Sequence, residues 1–200
     1  MRAQAHKRRA TAWEISKYTE LKYQSSLQLG NKERLCGVRN KGGGGLKRGE
    51  ITKQLSELTE KLINPYNDTR IYWAKEVTFD YSTIHPIRVD YMKFKPVNNT
   101  VSGIEKGDFY CYEVKSSVED FHSKNGHNFI GDFNYYIMPH EVYTAVQGEI
   151  PFAVGVYCPN SGKLRSVKKA KRKDRDRPAL EMLLMMFRSA ERDIEIGGRL

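Results

Sequence analysis

Three side chains on two predicted strands have the types and spacing needed to hold a metal ion. In a strand from Phe109 to Lys115, alternate side chains point to the same face, so Glu113 and Lys115 share a face. Asp90 lies on an earlier apolar strand, Ile87 to Met92. If the two strands pair, the carboxylates of Asp90 and Glu113 converge. Together with a backbone carbonyl they form a hard oxygen site suited to Mg²⁺.

Lys115 adds a cation beside this acidic pair. Such a lysine could orient or help deprotonate an attacking water, or stabilise negative charge that develops on a phosphate. The pattern Glu-x-Lys is weak by itself, because a second copy, Glu20 to Lys22, lies in a polar segment without an upstream acidic strand. From the residues alone, a metal site and an exposed Glu and Lys on an edge strand are both open.

The histidines offer a second possible metal site. His122, Asn125, His127 and Asn128 have the residue types of an HNH nuclease motif. That motif needs a first His at a strand end and a later Asn and His on a helix, and the spacing here is too short. We expect instead a polar loop close to the site.

The charge distribution predicts a polyanionic partner. The chain has a net charge of +10, with twelve Lys/Arg against three Asp/Glu in residues 1–48 and nine against two in residues 163–177. Basic segments of this kind bind nucleic acid through phosphate contacts and counterion release. We expect contacts with the DNA backbone from the dense part of the second segment, which comprises Lys168, Lys169, Lys171, Arg172, Lys173 and Arg175.

Composition excludes several other classes. At 200 residues with 39% hydrophobic residues the chain can fill a core, and no apolar run approaches the length of a membrane span. The basic N-terminus lacks the apolar stretch of a secretory signal. Three widely spaced cysteines fit neither a disulfide framework nor a cysteine zinc site. We therefore expect a cytoplasmic protein without membrane contact.

The elements that would position the site alternate between helix and strand. Apolar residues at helical spacing predict a helix from Ile51 to Ile63, and Pro178 precedes a second helix from Ala179 to Arg192. Between them, short β-branched and aromatic runs predict strands, with a further helix from Val118 to Ser123. The fold class is α/β, with a basic extension and Gly-rich linker over residues 1–48 and one domain over 49–200. We further predict strands at 71–73, 77–79, 135–138, 151–157 and 163–167, and a loop from Lys95 to Lys106.

The order of these motifs resembles the PD-(D/E)xK, or restriction-endonuclease-like, nuclease superfamily. The closer resemblance is to its MmcB-like branch of DNA-repair proteins and to related phage and prophage proteins, whose pattern is E…R-x-D…E-h-K-x-S-x-x-D-F…D-x-x-Y-h-h-P, with h apolar. The resemblance covers about residues 50–195 and departs at Val89, where the name of the superfamily has Pro. This chain offers in order Glu76, Arg88 to Asp90, Glu113 to Phe121, and Asp132 to Pro139.

The resemblance implies a fold and a role for each matching residue. The fold is a central mixed β-sheet flanked by helices. Asp90, Glu113 and the carbonyl of Val114 would bind Mg²⁺, or Mn²⁺ in its place, and Lys115 would be the catalytic lysine. Other matching positions have open roles. Glu76 is an additional ligand or an exposed residue, Ser117 and Asp120 cap a helix or support the catalytic residues, and Asp132 supports the site or is structural.

The expected activity is metal-dependent hydrolysis of DNA phosphodiesters, in repair, recombination or phage DNA processing. Two other classes remain open: a nucleic-acid-binding module that keeps the fold without catalysis, and a phage factor that binds a host protein. Neither the shape of the DNA substrate nor the oligomeric state follows from the sequence.

Overall fold

A mixed β-sheet forms the centre of the molecule in a computed structural model that describes residues 48–197, with side chains described for 48–192. Within that range, six strands are hydrogen-bonded in the order in which they occur along the chain. The strands are Tyr72–Phe79 (β1), Ile87–Lys95 (β2), Asp108–Val114 (β3), Phe133–Ile137 (β4), Gly155–Asn160 (β5) and Lys163–Lys168 (β6). The helices are Arg48–Ile63 (α1), Val101–Glu105 (α2), Val118–Phe121 (α3), His140–Val146 (α4) and Ala179–Gly197 (α5).

The direction of the strands changes across the sheet. The pairs β1–β2, β2–β3 and β5–β6 are antiparallel, whereas β3–β4 and β4–β5 are parallel. Parallel neighbours need a crossover connection, and α3 and α4 lie in the two connections that this sheet requires. The prediction of an α/β fold with a mixed sheet flanked by helices is therefore confirmed.

Apolar clusters attach the two long helices to the sheet. Leu55 and Ile63 of α1 pack with Tyr91, Tyr112 and other sheet residues, which explains the helical spacing of the apolar residues in this segment. Met182 and Met186 of α5 pack with residues of β1, β2 and β3 in a separate cluster. Burial of these faces, rather than intrinsic helix propensity, holds the helices in place.

Several predicted boundaries differ from the structure. The predicted strands at 71–73 and 77–79 form one strand, β1, whereas the strand predicted at 151–157 begins only at Gly155. The predicted loop from Lys95 to Lys106 contains α2, whose first turn is capped by the Thr100 hydroxyl. Helix α4 was not predicted, because Pro139 at its N-cap provides no side-chain capping signal.

The predicted basic extension and its Gly-rich linker lie outside the described residues, except for Arg48, which begins α1. Cys111 and Cys158 are buried and free, while Cys36 is also outside that range. Among residues 48–197, no helix has both the length and the apolar character needed to cross a bilayer.

Candidate active site

Pairing of β2 with β3 brings the two predicted carboxylates together. Tyr91 lies opposite Tyr112 in the antiparallel register, so the next pair along is Asp90 and Glu113. Beyond this pair a side chain takes the place of a backbone acceptor. The backbone N–H of Val114 donates a hydrogen bond of 2.8 Å to Oδ2 of Asp90. This bond fixes the Asp90 side chain at the end of the ladder.

A local irregularity in the β1–β2 hairpin turns two acidic residues toward one cavity. Val89 and Met92 are three residues apart, yet both are fully buried in the same cluster, so the alternation of β2 shifts between them. Opposite Asp90, residue Glu76 of β1 has a φ of 53°, an unusual conformation for a residue other than glycine. Glu76 and Asp90 both line a cavity of about 300 Å³.

Glu76 is the residue whose role the sequence left open. Its carboxylate lies 3.4 Å from the guanidinium of Arg88, and both side chains are more than half exposed. An exposed pair of this kind contributes little to stability. In the structure Glu76 contacts Arg88. Because it lies beside Asp90, its role as an additional metal ligand stays open.

The carboxylate of Glu113 is almost completely buried, and Lys115 offsets its charge only in part. The residue is 1% exposed, and among the described residues neither Oε1 nor Oε2 has a hydrogen-bond partner. Burial, and secondarily the neighbouring Asp90 carboxylate, raise the pKa of Glu113 to about 9. Buried polar groups normally have partners. Two unpartnered oxygens facing a second carboxylate therefore fit a cation.

The donor set available to such a cation is small. In the part of the chain that the structure describes, no group of three or more His, Cys, Asp or Glu side chains could hold a metal ion. Asp90 and Glu113 supply two carboxylates, and Val114 follows Glu113 on β3 and contacts Asp90 through its N–H. Mg²⁺ is typically held by one or two carboxylates, with waters and substrate phosphate as the remaining ligands. The residues present therefore fit Mg²⁺ or Mn²⁺ better than a metal that needs several protein ligands.

Lys115 follows β3 directly and is 2% exposed. Its ammonium donates hydrogen bonds to the carbonyls of Asp120 (3.2 Å) and Asn125 (2.5 Å). Burial lowers the pKa of Lys115, although the carboxylates of Asp120 and Glu113 oppose this effect. One carbonyl of α3 and one of the loop after it therefore fix the orientation of the ammonium.

Gly126 allows Glu113 and Lys115 to meet. A Cβ atom placed on Gly126 would lie 2.9 Å from Nζ of Lys115 and 3.1 Å from Oε2 of Glu113. The φ of Gly126 is also +70°, which favours glycine. The functional groups of the predicted Glu-x-Lys pair therefore lie together against one loop.

Ser117 and Asp120 build the short helix α3 beside the lysine. The Ser117 hydroxyl caps the helix by accepting from the N–H of Asp120, as predicted. Oδ2 of Asp120 accepts from the N–H of Ser116 at 2.9 Å, while Oδ1 lies 3.0 Å from the guanidinium of Arg48. Asp120 therefore joins α3 to Ser116, pairs with the first residue of α1 and holds Lys115 through its carbonyl.

A larger cavity opens onto this group and has a cationic lining. Its volume is about 720 Å³, and Asp90 and Lys115 are among its lining residues. Sequence reasoning missed three further cations at its wall. Only Arg88 could have been found from the sequence, because it belongs to the Arg-x-Asp pattern, whereas the other two residues belong to no motif. These three residues are Arg48, Arg88 and Lys124.

The polar loop after α3 lies at this cavity, as expected from its composition. Asn125 and Asn128 line the cavity, and the Asn128 amide donates to the carbonyl of Arg88 at 2.9 Å. His127 instead accepts from the Tyr136 hydroxyl and donates to the Ser123 carbonyl. His122 pairs with Glu149. The two histidines thus have separate partners, which agrees with the rejection of an HNH site.

Asp132 lies at the other end of β3. Because Tyr110 pairs with Phe133, Asp132 is level with Phe109 and accepts from its N–H at 2.9 Å. Four residues of strand, about 13 Å, separate that level from Glu113. Of the two roles predicted for Asp132, the structure therefore favours the structural one.

The predicted DNA-contact segment also lies at that far end and makes internal contacts. Arg175 donates to the Gly107 carbonyl at 2.7 Å and to Asp132 at 2.9 Å, and Arg172 pairs with Asp108 and Asp132. These bonds use the guanidinium groups to fix the segment to β3. Contact of this segment with the DNA backbone stays a prediction, and the ion pairs place Arg172 and Arg175 away from Asp90 and Glu113.

Three lysines of the same segment also contact other residues of the chain. Lys168 donates to the carbonyls of Ile150 and Pro151, and Lys173 pairs with Asp176. Lys171 lies over the ring of Phe152 at 4.2 Å. Lys169 belongs to the same segment and does not line the cavity described above. The cations that line this cavity are Lys115 and those of α1, β2 and the loop after α3.

Comparisons with known proteins give no assignment of function. No protein-family model matches the chain, and no curated protein matches it significantly. Among solved structures, a protein of unknown function from Silicibacter pomeroyi is similar, with a TM-score of 0.47 and 14% sequence identity over 76% of this chain and 90% of that chain.

Proposed function

We propose that this chain is a metal-dependent nuclease of the PD-(D/E)xK type, with a restriction-endonuclease-like core, that hydrolyses DNA phosphodiester bonds. The observation that carries the proposal is the carboxylate of Glu113. Its two oxygens are buried and, within residues 48–192, have no hydrogen-bond partner, while Asp90 lies directly opposite. A protein that only bound DNA would gain nothing from burying acids beside a polyanion.

Asp90, Glu113 and the carbonyl of Val114 would hold the metal. A bound Mg²⁺ would lower the pKa of a water molecule and neutralise charge on the phosphate. Lys115 is fixed by two carbonyls, and a third N–H of its ammonium can hold the attacking water or a phosphate oxygen. The same ammonium stabilises negative charge that develops on the phosphate.

The charge around the larger cavity supports a phosphate as the ligand. Four cations, Arg48, Arg88, Lys115 and Lys124, line it against the two carboxylates Asp90 and Asp120. Cavities with an excess of one charge attract ligands of the opposite charge. A DNA strand at this cavity places its backbone between the cations, and such a substrate fits a cytoplasmic role in DNA repair, recombination or phage DNA processing.

The variant Asp90→Asn tests the catalytic assignment. Asparagine keeps an oxygen that can accept from the N–H of Val114, so the end of the ladder should persist. It removes the charge that would bind the metal. We expect metal-dependent cleavage to fall by at least a hundredfold, on the order of the loss of one charge-stabilising group, while DNA affinity stays the same or increases.

The matched control is Asp108→Asn, at the far end of the sheet, which should cleave at the wild-type rate. Cleavage that survives Asp90→Asn would contradict the assigned site. DNA binding without any cleavage would favour the non-catalytic module. An affinity that does not change with salt would favour a protein-binding factor, because phosphate contacts make DNA binding salt-dependent.

A further inference from the structure

A second, smaller cavity adjoins the first along the Asp90 carboxylate. Its volume is about 300 Å³, which is at the lower limit for small-molecule sites. The two cavities share Arg48, Arg88, Asp90, Val114 and Asp120. The smaller one is further lined by Thr52 and Ser56 of α1, Lys75 and Glu76 of β1, and Tyr91 of β2.

The linings of the two cavities suit different parts of a nucleotide. Three cations and three carboxylates line the smaller cavity, so their charges balance, whereas cations are in excess in the larger one. The smaller cavity adds the hydroxyls of Thr52 and Ser56. A polar, uncharged group such as a sugar with its base fits this lining better than a phosphate does.

The walls of the smaller cavity are held by contacts with other elements. The hydroxyl of Tyr91 donates to Glu60 of α1 at 3.4 Å. The carbonyl of Lys75 accepts from the Ser189 hydroxyl of α5 at 2.6 Å. Arg48 pairs with Asp120 at 3.0 Å, which joins the start of α1 to α3. The cavity is therefore preformed, as ligand sites usually are.

We propose that the smaller cavity is a nucleoside subsite, which receives the sugar and base on one side of the phosphate bound in the larger cavity. This inference rests on the proposed function for the identity of the strand. It adds a binding site for a single nucleotide, formed by α1 and β1. A free deoxynucleoside monophosphate should bind there, with its phosphate near Arg88 and its sugar and base against Thr52 and Ser56.

Filling the cavity from its exposed side tests the proposal. Thr52 is exposed on α1, so Thr52→Phe places a large ring at the cavity without disturbing the core. Lys53→Phe is the matched control, since Lys53 is exposed on the same helix and does not line the cavity. Titration calorimetry with deoxyadenosine monophosphate in EDTA measures binding for the full chain and both variants.

We expect the wild type and Lys53→Phe to bind the mononucleotide with equal affinity, and Thr52→Phe to bind it at least about tenfold more weakly. In DNA cleavage, Thr52→Phe should raise KM by a similar factor. Equal binding by all three proteins, or no binding by the wild type, would overturn the subsite. If the wild type binds the mononucleotide but cleaves no DNA, the proposed function fails and the subsite stands. If it cleaves DNA without binding the mononucleotide, the reverse holds.

Discussion

Replacing Glu113 with glutamine is expected to flatten the pH dependence of unfolding and to abolish the stabilisation of the protein by Mg²⁺. The folded state raises the pKa of Glu113 to about 9 from its ordinary value of 4.5. The folded protein therefore binds a proton that the unfolded chain has lost. The resulting stabilisation is complete below about pH 4.5 and is lost as the pH rises through about 9.

Glutamine has nearly the shape of glutamate and does not titrate, so the variant lacks this decline. Urea unfolding in EDTA at several pH values from about 5 to about 9 measures the difference. A bound metal ion would favour the ionised form of Glu113, so it would stabilise the folded protein at the higher pH values. At a concentration of one hundred times its dissociation constant, Mg²⁺ should stabilise the wild type by about 2.7 kcal/mol and the variant by none.

Glu119→Gln is the control, since Glu119 is a neighbouring acid that does not line either cavity. It should keep both the pH dependence and the response to Mg²⁺. Parallel pH profiles for the wild type and Glu113→Gln, together with equal stabilisation by Mg²⁺, would show that Glu113 neither titrates as described nor binds the metal.

Replacing Asp132 with alanine should produce a large loss of stability without changing the proposed metal site. The side chain is 2% exposed and accepts from the N–H of Phe109, from Arg172 and from Arg175. Its removal leaves the buried N–H of Phe109 without its acceptor and the largely buried guanidinium of Arg175 without its charged partner. Breaking a buried ion pair of this kind costs about 3 kcal/mol or more.

The measurement is the urea midpoint, beside Asp176→Ala as a control. Asp176 is 70% exposed and pairs only at the surface, so its loss should cost less than about 1 kcal/mol. At a temperature where both variants are folded, Mg²⁺ should stabilise each as it does the wild type. If Asp132→Ala were folded normally but no longer responded to Mg²⁺, Asp132 would support the metal site after all.

The sequence was most informative where a local pattern determines the structure. The apolar spacing of Ile51 to Ile63 predicted α1, and alternation in β3 predicted that Glu113 and Lys115 lie together. The helix cap at Ser117 was predictable because a residue with a hydroxyl group precedes an acidic first turn. In each case the decisive contacts are within a few residues along the chain.

Features that depend on distant contacts could not be predicted in this way. The density of Lys and Arg in residues 163–177 predicts a DNA surface, but it does not show that Arg172 and Arg175 pair with a carboxylate forty or more residues away. Conversely, nothing local marks Arg48 or Lys124 as neighbours of Asp90. Charge in the sequence gives the attraction to a polyanion, whereas the fold decides which cations remain beside the carboxylates.

Metal-dependent cleavage tests the central claim most directly. Purified protein is incubated with labelled duplex, flap, nicked and single-stranded DNA in Mg²⁺, in Mn²⁺ and in EDTA, beside Lys115→Met, which keeps the length of the side chain without its charge. Lys169→Met is the control, since Lys169 does not line the cavity. We predict cleavage of at least one substrate with either metal, none in EDTA, wild-type activity for Lys169→Met, and a loss of about a hundredfold or more for Lys115→Met. Cleavage that persists in EDTA, or that Lys115→Met retains in full, would contradict the assignment of this site.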